Sequence, residues 1–405
     1  MAWEVKRLGD VCEVGDGNYS SKYPKASEFI EKGIPFLTAT NLKNGTIVPD
    51  GMRFISEHLH KSLKKGHVIK DDLVIVVRGS STGNNSKIPK NYEGANLNSQ
   101  LAFLRVKDTK LDSAYLFAAF NNPFVMDKVK SLISGSAQPQ LPINKLVSIE
   151  IPIPPLAEQK RIVAMLDSSF SAISKAKENA EKNLKNSKEL FESYLNNIFE
   201  KKGKDWEEKK LGEVCRLKPP KSEARDKLKA TDSVSFVPME DMGINQKYFI
   251  PEKERTLKEV EGSYTYFANG DVLLAKITPC FENGKLGIAT NLKNEIGFGS
   301  SEYIVFRVNK GLLSEYLYYY LSRGKFREEG ASRMMGAVGH KRVAKEFVEN
   351  YPIPLPPLSE QKRIVAKLDA LSEQTKKLEA VYLKKIADFD ELKKSILQKA
   401  FRGEL

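Results

Sequence analysis

Cysteine and histidine are scarce in this chain, and their scarcity removes whole classes of chemistry. The three cysteines, Cys12, Cys215 and Cys280, form no C-x-x-C pair. An odd count without spacing argues against a disulfide framework and against a zinc site, and points to a reducing compartment. The four histidines are scattered. His58 and His60 lie two apart with no cysteine or acidic cluster beside them, so both read as surface residues, and no metal site is expected. Long apolar runs are missing too. No stretch is long enough to span a bilayer and the N-terminus shows no signal-peptide pattern, so the expectation is a cytoplasmic chain with no membrane partner.

Nucleotide-motor and modification motifs are equally sparse. There is no G-x-x-x-x-G-K-[ST] loop, since Gly79 and Gly83 are too close and no GK[ST] follows. Asn121-Asn122-Pro123-Phe124 is similar to the N-P-P-[FY] strand end of amino-methyltransferases. It has one proline, however, follows an expected helix, and has no Gly-rich cofactor loop before it. No nuclease-like set of carboxylates with a lysine on adjacent strands is visible. The expectation is a chain that is not an enzyme and binds no cofactor itself.

What is present is positive charge and length. Lys plus Arg number 65 against 52 Asp plus Glu, a net charge of +13 over 405 residues. That length fits two to four domains, and an apolar fraction of 41% can build real cores. The charge surplus favours a polyanionic partner, of which nucleic acid is the commonest. The competing reading is a basic surface with no partner.

The chain is written twice. WEVKRLGDVC from Trp3 and WEEKKLGEVC from Trp206 share seven of ten residues. PLAEQKRIVAMLD from Pro155 and PLSEQKRIVAKLD from Pro357 share eleven of thirteen. IPIPP and IPLPP lead into the second pair. Similarity is strong at these joints and weak between them. The scaffold is thus repeated while the contents of two mixed segments have diverged. The boundaries read as 1–154, 155–204, 205–356 and 357–405.

Residues 156–199 and 358–401 contain no Gly or Pro. Apolar residues there alternate spacings of three and four, a heptad seam. Its expected packing residues are Leu166, Phe170, Ile173, Leu184 and Phe191 in the first copy. In the second they are Leu371, Leu378, Tyr382, Phe389, Leu392 and Ile396. Pro155 and Pro357 suit helix starts, Glu158 and Glu360 suit the first turn, and Gly203 and Gly403 suit the ends. A helix of 44 residues is about 66 Å long. If the second helix pairs with the first, it returns antiparallel, with one globular part at each end and a pseudo-twofold between them. A plain dimerising coiled coil is the blander reading.

The expected fold class is therefore α+β: two mixed α/β domains separated by two long antiparallel coiled-coil helices. Within the globular parts, 72–77 and 271–275 read as buried strands and 113–120 and 314–321 as short helices. Polar loops follow at 78–87 and 276–285, and again at 134–145 and 332–345. Amides, hydroxyls and cations on such loops can read base edges and hold phosphates. The candidates in the first half are Lys22, Arg78, Ser80, Ser81, Thr82, Asn84, Asn85, Lys87, Gln138 and Gln140. Those in the second are Lys221, Arg225, Lys276, Thr278, Asn283, Lys285, Arg333, His340, Lys341 and Arg342. Taken singly, each could be a solvated turn residue. As matched sets on a repeated scaffold they favour function.

Two variable domains, each ending in IP-x-PP-L-x-EQ-K-R-IV-x-x-LD and a long helix, resemble the specificity subunits of type I restriction-modification systems. The resemblance covers the whole chain. Loop 276–285 and the G-x-x-Q stretch Gly135–Gln138 also resemble target-recognition domains of that family. The second copy reads Gly336-Ala337-Val338-Gly339 and departs at the Gln. The resemblance implies that each domain is a target-recognition domain reading half of an asymmetric bipartite site in double-stranded DNA, with the helices as a ruler. It implies docking of two methyltransferase subunits, which carry S-adenosylmethionine, and of motor-nuclease subunits in the full complex. The alternatives are a self-contained DNA methyltransferase or nuclease, which would bind S-adenosylmethionine, and a coiled-coil adaptor with no DNA affinity.

Overall fold

A computed structural model describes residues 3–43, 45–201, 203, 205–337 and 339–405. It divides into two compact units, residues 1–180 with 384–405 and residues 181–383.

The repeated joints fold as one device in each unit. Strand Glu4–Arg7 pairs antiparallel with Glu150–Ile153, and Glu207–Lys210 pairs with Pro352–Leu355. The repeated opening and the repeated exit of each globular part are thus zipped together. Between them lie two larger sheets and, in the first unit, a two-stranded pair, Leu42–Lys43 with Thr46–Ile47. In the first unit an antiparallel sheet runs in the order Cys12–Asp16, Leu101–Val106, Leu73–Val76, Asn85–Lys87. A second runs Asn96–Leu97, Ile34–Leu37, Arg53–Ile55, Phe29–Ile30, with its first pair parallel. The second unit has a five-stranded sheet in the order Cys215–Leu217, Tyr303–Val308, Val272–Ala275, Leu286–Ala289, Tyr248–Phe249, and a further four-stranded sheet. The expected strands at 72–77 and 271–275 are the buried Leu73–Val76 and Val272–Ala275. The expected helices are Ser113–Phe120 and Ser314–Leu321.

The long segments are helices Leu156–Glu200 and Leu358–Arg402. Within the first unit, Lys177 Nζ meets the Asp390 carboxylate at 2.7 and 2.8 Å, while Lys393 lies over the Phe170 ring. Within the second, Lys188 approaches Glu379 and Lys367 lies over the Tyr194 ring. Rising numbers meet falling ones, so the helices are antiparallel in each unit.

The seam differs from a uniform heptad. Leu166 and Ile173 are buried, while Phe170, Leu184, Phe191, Leu371, Tyr382, Phe389 and Ile396 are half-buried. Leu378 and Leu392 stand 46% and 45% exposed, against the packing expected of them. The helix residues that enter the globular cores lie near the helix ends: Ile162, Leu166, Ile364 and Leu368 after the starts, and Leu195, Phe199, Leu397 and Ala400 before the finishes. A straight α-helix drifts about 20° per heptad from a strict repeat. A helix whose ends seat on sheets follows the sheets rather than the seam.

Candidate nucleic-acid interface

The interface begins with the strand pairs that carry the loops. Asp72 sits at the head of one buried strand and receives Arg105 from its neighbour, Nε to Oδ1 at 2.9 Å and Nη2 to Oδ2 at 2.7 Å. Asp271 and Arg307 repeat the fork at 2.8 and 2.7 Å. Both carboxylates are buried. Such bidentate pairing is geometrically demanding, so it fixes the register of two strands at the ends opposite those from which the loops emerge. Burial raises the Asp72 pKa, and the Arg105 fork opposes that rise. For Arg307 the Asp271 fork is the main cause of a raised value.

The loops that the sequence matched are brought together in both units. In the first, Arg78 and Gln140 form a β-bridge, and Gly79 N donates to Pro139 O at 2.9 Å. Thr82 Oγ1 donates to Gly79 O and Pro139 O. In the second, Ile277 and Arg342 form the equivalent bridge, and Thr278 N donates to Lys341 O at 2.9 Å. Each second loop turns on a glycine. Gly135 has φ +94 and Gly336 φ +128, and a Cβ would meet Gln138 O at 2.6 Å or His340 O at 2.9 Å. A side chain there would open the loop. Val338 of the second turn lies outside the described residues.

The candidates divide by what their side chains are already doing. Ser80, Asn84, Gln138 and Gln140 are exposed, as are Asn283, Arg333, His340 and Lys341. Ser81 and Thr82 are half-buried. Asn85 is not on that surface. It is buried in strand Asn85–Lys87 with its amide exchanged with Asn121, so the expected loop 78–87 ends as sheet. Lys87 pairs with Asp71 at 3.2 Å. Lys22 is exposed on a separate 3-10 turn, Ser20–Lys22. In the second unit, Arg342 forks onto Glu302 at 2.9 Å through two bonds, and Lys276 approaches the same carboxylate at 3.9 Å. Arg342 holds the Glu302 carboxyl below its usual range. Arg225 pairs with Glu261, Lys285 donates to Met239 O, and Thr278 Oγ1 donates to Glu282. Lys221 Nζ donates to Glu261 O and Gly262 O, and burial lowers its pKa.

Several positioning residues escaped the sequence reading. Gln159 and Gln361 are fully buried at the helix starts. Gln159 accepts from Asp112 N at 2.8 Å and donates to Lys110 O and Pro154 O at 2.7 Å. Gln361 accepts from Leu313 N and donates to Gly311 O and Pro356 O. The repeated EQKR motif is thus a clasp between helix and domain. Its only signal was identity in both copies. Asn122, within the methyltransferase-like tetrapeptide, caps the helix Pro123–Leu132. His60, expected on the surface, stacks on His67 at 4.3 Å and contacts Asn96 Oδ1. Among the described residues no group of three or more His, Cys, Asp or Glu could hold a metal, and no helix is long and apolar enough to cross a membrane.

Comparison with known proteins agrees with this arrangement. The family model for the type I restriction modification DNA specificity domain matches twice, over residues 2–183 and 203–387. The EcoAI specificity subunit of Escherichia coli is 35% identical over 193 residues, covering 47% of this chain but 32% of that protein. The match thus spans about a third of that relative's length. The EcoKI specificity subunit of Escherichia coli strain K12 is 24% identical, covering all of this chain and 89% of that one. Among solved structures, a chain from a type I restriction-modification system aligns with TM-score 0.76, covering 100% of this chain and 98% of that one at 22% identity. The HsdS subunit of Thermoanaerobacter tengcongensis aligns with TM-score 0.63 at 22% identity, covering 100% and 97%. Two family matches on two loop-bearing units, joined by signature helices, place this chain in the family of type I restriction-modification specificity subunits.

Proposed function

We propose that this chain addresses a modification and restriction complex to DNA and performs no catalysis itself. Each globular domain reads one half of a bipartite site. The two long helices fix the unread gap and, with the adjoining domain faces, dock two methyltransferase subunits. S-adenosylmethionine belongs to those partners, and motor-nuclease subunits join the full complex. The observation that carries this reading is the loop pairing. The same two loops meet in both units through equivalent bridges, yet their residues differ. A common scaffold presenting different amides, hydroxyls and cations suits two different half-sites, and each good bidentate base contact contributes about 1–3 kcal/mol of discrimination. Two modest half-site affinities then combine through high effective concentration.

The test is co-expression with a methyltransferase subunit of the same system, followed by sequencing of methylated adenines on genomic DNA. One asymmetric bipartite motif is expected. Exchanging loop 78–87 should change one half of it, and exchanging loop 276–285 the other. A stable complex that methylates nothing, or a motif indifferent to both exchanges, would sink the reading.

A further inference from the structure

The second unit contains a cleft of about 450 Å³ beside its paired loops. Leu217, Ile304 and Val343 give it apolar lining, and Tyr264, Tyr266 and Tyr303 give it aromatic lining. Five cationic side chains line it, Lys218, Lys221, Lys276, Arg342 and Lys345, and no acidic side chain does among the described residues. Aromatic and apolar lining suits a planar ring, and lining cations that keep donors to spare suit an anion.

The five cations are not equivalent. Arg342 and Lys276 face Glu302, and Lys345 pairs with Glu349 at 2.6 Å. Lys221 uses two of its three N–H donors on backbone carbonyls, which leaves one. Lys218 is exposed and held at φ +54, in the left-handed region, between strand Cys215–Leu217 and Pro219-Pro220. Its backbone is fastened there by Lys218 N donating to Val305 O. A lysine in that conformation is strained relative to glycine, and strain of this kind gathers at ligand sites. The lowered Lys221 pKa is consistent with this, since burial, then Arg225 and Lys218, disfavour its charge and outweigh the nearby Glu261 carboxylate, and a bound anion would offset them.

We propose that the cleft holds a single nucleotide unit out of its helical stack, its base against Tyr264 and the apolar lining and its phosphate against Lys218 and Lys221. This rests on the DNA-reading role assigned above and adds a subsite to it. A base displaced from a duplex and a free nucleotide carry the same chemistry, so the test separates them.

The full-length chain is titrated calorimetrically with deoxyadenosine monophosphate and with inorganic phosphate. The nucleotide is expected to bind at least ten-fold tighter than phosphate. Lys218→Gly suits the backbone at that position and should fold at least as well as the parent, yet weaken nucleotide binding about ten-fold. Lys218→Glu should weaken it further. A second arm compares a random-sequence duplex with the same duplex carrying a one-nucleotide adenine bulge. Preference for the bulge, lost in Lys218→Gly, assigns the cleft to DNA. Nucleotide binding without bulge preference assigns it to a free nucleotide. Duplex binding with neither effect overturns the cleft and leaves the DNA-reading role standing. Loss of all three bindings in the parent chain overturns both.

Discussion

Gln159 and Gln361 show how much one side chain can position. Each joins a helix start to a loop of its own domain through one accepted and two donated bonds. A buried backbone group left without its partner costs about 1–3 kcal/mol. Gln361→Ala should therefore lower stability by about 3 kcal/mol in urea unfolding followed by circular dichroism. Gln361→Glu, nearly isosteric, should lose at least as much, because a carboxylate would face two carbonyls. A harmless Gln361→Glu would mean that shape alone matters at this position. His67 gives a pH dependence. Burial, reinforced by His60, holds its imidazole below the ordinary value of 6.5. As pH falls, an unfolded chain with that ordinary value takes up the proton first. The His67 contribution is complete above about pH 6.5 and is lost as pH falls toward the lower folded value. The urea midpoint should drop between pH 7.5 and 5.5, and drop less in His67→Gln. Equal drops would remove His67 from the account.

At the scale of elements, the long helices are better described as struts seated in two cores than as a uniform coiled coil. In the first unit the Phe401 ring lies 5.3 Å from Tyr115, and in the second Phe199 lies 5.3 Å from Tyr316. Those tyrosines donate to Pro152 O and Pro354 O on the exit strands. Helix end, domain helix and exit strand are thus tied at one point in each unit. Leu397→Ala, at a residue 8% exposed, should cost about 3 kcal/mol. Leu392→Ala, five residues earlier on the seam but exposed, should cost less than about 0.5 kcal/mol. A continuous heptad interface would make the two losses similar, so denaturant melts of both variants decide between the descriptions.

For the whole molecule, the ruler proposed above makes the DNA gap a function of helix length. Seven residues inserted near Lys185 and seven near Lys384 add two turns to each helix, about 10.5 Å. At about 3.4 Å per base step that is roughly three base pairs. The methylated motif of the co-expressed complex should keep both halves and widen its gap by about that amount. Circular dichroism must show helix content retained. An unchanged motif at full affinity in a folded insertion variant would end the ruler. Positive charge acts at the same scale. The net charge of +13 implies an affinity that falls steeply with salt.

The repeat, the helices and the strands before the loops were legible in the sequence because each leaves a local, periodic or duplicated trace. WEVKRLGDVC and PLAEQKRIV marked the joints, and the absence of Gly and Pro over 156–199 marked a helix. The sequence could not show that Gln159 faces inward, since a polar residue on a charged helix looks solvated until a domain covers it. Nor could it show that Asn85 lies in a sheet, paired with Asn121 from 36 positions away. Among the loop cations, Arg342 and Lys276 look as free as Lys341 until folding brings Glu302 beside them. Periodicity and repetition are properties of neighbours along the chain and are written there. Burial, pairing and the cleft beside Lys218 depend on residues far apart in sequence, and only the tertiary structure decides them.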